Sequence, residues 1–112
     1  VSDATGHLVL LSTTDSAEAA RELAAAAVEA RLAACVQIVG PVTSVYRWEG
    51  AVHEEQEWQL LFKTTEDRRE RLERQIAERH GYDVPEIIAL PVTAGSTAYL
   101  DWVTAETREA PR

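Results

Sequence analysis

One thiol, three imidazoles and a short charged run hold most of the chemical potential of this sequence. Cys35 is the single thiol. It follows Leu32-Ala33-Ala34 and opens an apolar run, which suits a small buried residue, because free cysteine is among the most buried residue types. The chemical reading of Cys35 is a metal-ligand or redox role. The histidines are His7, His53 and His80, and no two have the H-x-x-x-H spacing that puts two ligands on one helix face. His80 falls at the end of a helical pattern, where the helix dipole favours a positive charge, so it reads equally as a cap and as a ligand. A copper or zinc site would have to gather its ligands from distant segments. Glu57 and Lys63 share one face of an alternating run, as do His53 and Glu55. A solvated strand face accounts for all four. The functional reading is a polar cleft against a neighbouring subunit, with Lys63 just before a helix start and able to assist anion binding. No G-x-S-x-G, Walker A, G-x-G-x-x-G, C-x-x-C or H-E-x-x-H motif is present, and no nucleophile–base pair stands out, so an enzyme is not expected.

The elements that would position these groups centre on a long hairpin from Cys35 to Thr65. Its arms meet at Glu49-Gly50, an acidic residue plus glycine of the kind that closes a tight turn. Each arm has about a dozen residues, against about 5–6 in an ordinary strand. One small domain cannot cover such a ribbon, so Tyr46, Trp48 and Trp58, with Trp102 near the C-terminus, are expected at an interface between copies of the chain. Gly40-Pro41 interrupts the first arm and predicts a bulge. Ahead of the hairpin, His7 to Thr13 reads as a buried strand. Asp15 and Glu18 resemble a capping box for a helix with Ala20, Leu23, Ala24, Ala27 and Val28 on its inner face, ending near Arg31 to Ala34. After the hairpin, Thr64 or Thr65 caps a helix from Glu66 to Arg79, held by Leu72 and Ile76. Gly81 suits a left-handed helix end. Glu86 to Val92 is a strand, and Gly95-Ser96 starts a last helix with Tyr99, Trp102 and Val103 on one face. The order β-α-β-β-α-β plus a C-terminal helix predicts an α+β, ferredoxin-like fold. Residues 1–112 form one domain, with loose ends at 1–6 and 109–112.

Composition narrows the partners. The chain has 112 residues, enough for one domain with one core. Eleven basic against nineteen acidic residues give a net charge of −8. That disfavours nucleic acid and anionic membranes, which need a basic footprint, and is compatible with cations. A single cysteine allows no internal disulfide, and with no signal-like start the expected compartment is the reducing cytoplasm. No apolar stretch reaches the roughly 18 residues of a membrane span.

Five segments, in order, carry a resemblance. LAACVQI (Leu32 to Ile38), SVYRWEG (Ser44 to Gly50), LLFKTTED (Leu60 to Asp67), HGYDVPEIIALPV (His80 to Val92) and YLDW (Tyr99 to Trp102) together resemble the CutA family of divalent-cation tolerance proteins. The resemblance spans His7 to Arg108. It implies a ferredoxin-like subunit in a tight homotrimer, with long hairpin strands pairing between subunits. It also implies a link to copper tolerance, with Cu2+ or another divalent cation as a ligand in some members. Because the trimer is similar to that of PII signalling proteins, it further implies a second reading, a sensor that binds a small anionic or nucleotide ligand between subunits; a third reading is a structural trimer with no ligand. For that cleft the matching motif positions and polarity single out Glu57, Lys63, Tyr82 and Glu86. The copper-binding members use a cysteine near the end of the first strand and a His-His pair. Those positions are Ser12, Arg79 and His80 here, so His80 alone remains as a candidate metal ligand.

Overall fold

The computed structural model describes residues 5–109. Strand β1 (His7–Thr14) leads to helix α1 (Ala17–Glu29) and then to the hairpin of β2 (Cys35–Trp48) and β3 (Ala51–Thr65). A 3-10 turn (Glu66–Arg68) continues into helix α2 (Arg69–Arg79), followed by strand β4 (Ile88–Val92) and helix α3 (Thr97–Glu106). The four strands form one antiparallel sheet in the order β2-β3-β1-β4, the α+β ferredoxin-like arrangement that the element order predicts.

Strand alternation gives the sheet two unlike faces. One carries Leu8, Leu10, Leu60 and Phe62, and is closed by Ala20, Leu23 and Ala27 of α1 and by Leu72 and Ile76 of α2. The alanines let α1 lie close to the strands. The other face carries Val9, Leu11, Leu61, Ile88 and Leu90, which share a side by register. Helix α3 attaches at one end of the two central strands, where His7 Nε2 lies 2.9 Å from the Leu100 carbonyl and 2.8 Å from Thr104 Oγ1. Ile88 and Leu90 remain 48% and 46% exposed.

At the hairpin tip Glu49 (φ 49°) and Gly50 (φ 81°) are both left-handed, the pattern of a type I′ turn. The bulge falls between Val39 and Val42, as Gly40-Pro41 predicts. Glycine is required at position 40, because a Cβ there would lie 2.8 Å from Trp58 Cγ. The Trp58 indole lies across that glycine and against the core.

Several local expectations are corrected. Ser16, not Asp15, caps α1, its Oγ accepting the Ala19 N–H at 3.0 Å. That helix ends at Glu29, and Val28 faces solvent. Arg31 turns the chain at φ 58°, and its guanidinium donates to the Ala105 carbonyl at 3.1 Å. Thr65 precedes the 3-10 turn without capping it, because its hydroxyl donates to Asp67 instead. Gly81 is not left-handed. Helix α2 exits through an extended His80 (φ −77°, ψ 145°), whose ring is tied to β1. Strand β4 begins at Ile88 rather than Glu86. In α3 Val103 is buried while Tyr99 and Trp102 face outward, their rings 5.6 Å apart. Of the expected loose ends, residues 1–4 and 110–112 lie outside the described residues. Thr5 is tied to the Val92 carbonyl at 2.8 Å, and Glu109 pairs with Arg71 at 3.0 Å.

Candidate functional site

The segment leaving α2 passes the end of β1, and His80 fastens it there. The Tyr82 backbone N–H donates to His80 Nδ1 at 3.0 Å, which requires that nitrogen to be unprotonated. The ring proton is therefore on Nε2, which donates to the Thr13 carbonyl at 2.7 Å. Both ring nitrogens are in use, and neither offers a lone pair to a metal. Two residues on, the Tyr82 hydroxyl donates to Glu57 Oε2 at 2.8 Å, joining the loop to β3. Burial, foremost, and the bond to Glu57 hold the Tyr82 phenol well above the ordinary tyrosine range, with the charges of Glu57, Asp15 and Glu55 adding to the effect.

The four cleft candidates do not converge within one protomer. Glu57 and Tyr82 meet. Lys63 lies on the same sheet face as Glu57 but six positions along the strand, roughly 20 Å away. Its Nζ donates to Gln37 Oε1 at 2.9 Å. Glu86 is exposed on the loop before β4, with no side-chain hydrogen bond or ion pair among the described residues. Cys35 faces Lys63 directly across the β2–β3 ladder and is half-buried. Burial first, and then the neighbouring Cys35 thiol, push the Tyr99 phenol upward. Of the four aromatic candidates for an interface, Tyr46, Trp48 and Trp102 are exposed, while Trp58 is half-buried in its own protomer. Tyr46 stacks on His53 with ring centroids 5.4 Å apart and donates its hydroxyl to Glu55.

The side chains do not fit a soft-metal centre. Among the described residues no three His, Cys, Asp or Glu side chains come together closely enough to hold a metal ion. Ser12 is wholly buried on the core face, and its hydroxyl has no partner among the described residues. Arg79 is exposed at the end of α2. A seryl oxygen and a guanidinium would not replace thiolate and imidazole around copper, and His80 is already committed. The Thr13 carbonyl, which holds His80 in place, went unnoticed in the sequence. A backbone acceptor 67 positions away leaves no side-chain signature.

Residues 8–106 match the family described as CutA1 divalent ion tolerance protein. The chain is 50% identical over 99 residues to the "Divalent-cation tolerance protein CutA" of Thermus thermophilus, covering 88% of this chain and 96% of that protein. It is 45% identical over 101 residues to "Protein CutA, chloroplastic" of Arabidopsis thaliana, covering 90% of this chain and 56% of that one. The crystal structure of CutA1 from Oryza sativa superposes with a TM-score of 0.90 at 40% identity, covering 97% of this chain and all of that one. Fold, segment order and these likenesses agree, and the chain belongs to the CutA1 divalent ion tolerance family.

Proposed function

We propose that the protein works in divalent-cation tolerance, copper included, as a non-enzymatic homotrimer in the cytoplasm that binds such cations weakly. The observation that supports assembly is the sheet face that α3 leaves open. Ile88, Leu90 and Val39, each close to half exposed, give it an apolar character that a soluble protomer is expected to cover. The family's relatives carry divalent-cation tolerance in their names, which supports the cellular role. The single cysteine favours a reducing compartment. No helix among the described residues is long and apolar enough to cross a membrane. Weak cation binding would fall to surface carboxylates such as Glu55 and Glu57, because His80 has no free nitrogen.

Isothermal titration of Cu2+ into the full chain tests the metal part. The expected result is weak binding that His80→Ala leaves unchanged. Tight binding that disappears in His80→Ala would overturn it. One contact favours a second reading, a PII-like sensor with a ligand cleft between subunits. The Tyr82–Glu57 bond brings together two of the four cleft candidates. Lys63 could join them only from a neighbouring subunit. A thermal-shift screen separates the readings: a metabolite that raises the transition while divalent cations do not would favour the sensor.

A further inference from the structure

Arg68 is an anomaly of the turn between β3 and α2. It is only 7% exposed, yet its Nε has no hydrogen-bond partner among the described residues. Its one charged contact among the described residues is Glu109, with Nη1 3.7 Å from Oε1, too long for a hydrogen bond. Arg71, one turn along α2, reaches the same Glu109 oxygen at 3.0 Å. The nearby acids are taken. Arg69 holds Glu66 at 3.0 Å and Glu73 at 3.1 Å, and Arg108 holds Asp67 at 2.7 Å. Glu70 is exposed and screened by solvent. Helix α2 continues directly from the 3-10 turn, the Arg69 N–H donating to the Glu66 carbonyl, and among the described residues no side chain caps it. Two guanidinium groups therefore converge on a single carboxylate oxygen, and one of them is largely buried.

Each guanidinium presents five N–H donors in a rigid fork, a geometry that matches an oxyanion with several acceptor oxygens. One monoanionic carboxylate cannot satisfy both forks; a phosphate group can, with a charge closer to that of the pair. We propose that Arg68 and Arg71 form a binding site for a small phosphate, and that Glu109 occupies it from within the chain when phosphate is absent. Arg68 and His80 flank opposite ends of α2, and the proposal does not rest on any role in cation tolerance.

The test is titration of inorganic phosphate into the full chain, followed by amide chemical shifts, with chloride at matched ionic strength as the control. Glu109→Gln removes the internal competitor and should tighten phosphate binding roughly fivefold, the equivalent of an exposed ion pair. Arg71→Ala should abolish saturable binding. Arg71 is exposed, so this variant does not put folding at risk. Arg68→Lys keeps the charge, loses the fork, and should weaken binding. The proposal is overturned if chloride reproduces the shifts, or if phosphate binds equally to the wild type, Glu109→Gln and Arg71→Ala.

Discussion

Arg108 reaches back from beyond α3 and grips Asp67 with both arms, Nη1 2.7 Å from Oδ2 and Nη2 3.0 Å from Oδ1. This bond, first, and one from Thr65 lower the Asp67 carboxyl from 3.8 to about 2. A carboxylate with a lowered folded-state pKa stabilises the fold above its unfolded value, and the benefit is lost as pH falls through the folded value. The contribution should be complete above about pH 4 and gone near pH 2. Both side chains are roughly half exposed, so its size is at most about 1 kcal/mol. Denaturant unfolding of the wild type and Asp67→Asn across this window checks the expectation. The stability gap between them should narrow as the solution is acidified, and a constant gap would assign the effect to something other than ionisation. Sequence spacing showed little of this, because Asp67 and Arg108 are 41 positions apart. The same limit hid the role of His80. Its residue type allowed a cap or a ligand, and only the Thr13 carbonyl and the Tyr82 amide decide that it fastens the loop.

The elements were far more legible, because period and turn chemistry are local. The hairpin, its bulge at Gly40-Pro41 and the paired core positions Leu72 and Ile76 all follow from short-range pattern. Errors gathered at helix ends, where one residue changes the outcome: Ser16 caps in place of Asp15, α1 ends at Glu29 ahead of a left-handed Arg31, and Gly81 is not left-handed. The hairpin tip shows a similar compromise. A type I′ turn needs positive φ at both central residues; Gly50 adopts it freely, but Glu49 does so against the clash of its Cβ with the backbone. Asparagine is the side-chain-bearing residue best tolerated there. Glu49→Asn is therefore expected to stabilise the protein by roughly 0.5–1 kcal/mol, a part of the left-handed penalty. Thermal unfolding should show a raised midpoint with an unchanged circular dichroism spectrum. A lowered midpoint would mean that the Glu49 side chain has a use that the turn geometry does not reveal.

At the scale of the whole molecule, the question is what covers the sheet. One face is closed by α1 and α2, and the opposite face is met by α3 only at one end of the central strands, leaving Ile88, Leu90 and Val39 in contact with water. Among the described residues, the outer edges of β2 and β4 also lack a strand neighbour within the protomer. Exposed sheet edges and apolar faces are liabilities in a free monomer and assets in an oligomer. The homotrimer reading uses this face, which leads to a sharp test. Leu90 is 46% exposed in the protomer, so replacing it with glutamate adds a carboxylate at little cost to the isolated fold. In an assembled sheet interface the same carboxylate would be desolvated without a partner, at a cost of several kcal/mol per site, and closed symmetry repeats that cost in every subunit. Light scattering at micromolar concentration should show a mass of three chains for the wild type and of one chain for Leu90→Glu, with secondary structure kept. Glu86→Gln, on the exposed loop beside the same strand, serves as the control and should remain trimeric. If Leu90→Glu also keeps a mass of three chains, the open face is not the interface. If the wild type has the mass of one chain, the trimer itself falls.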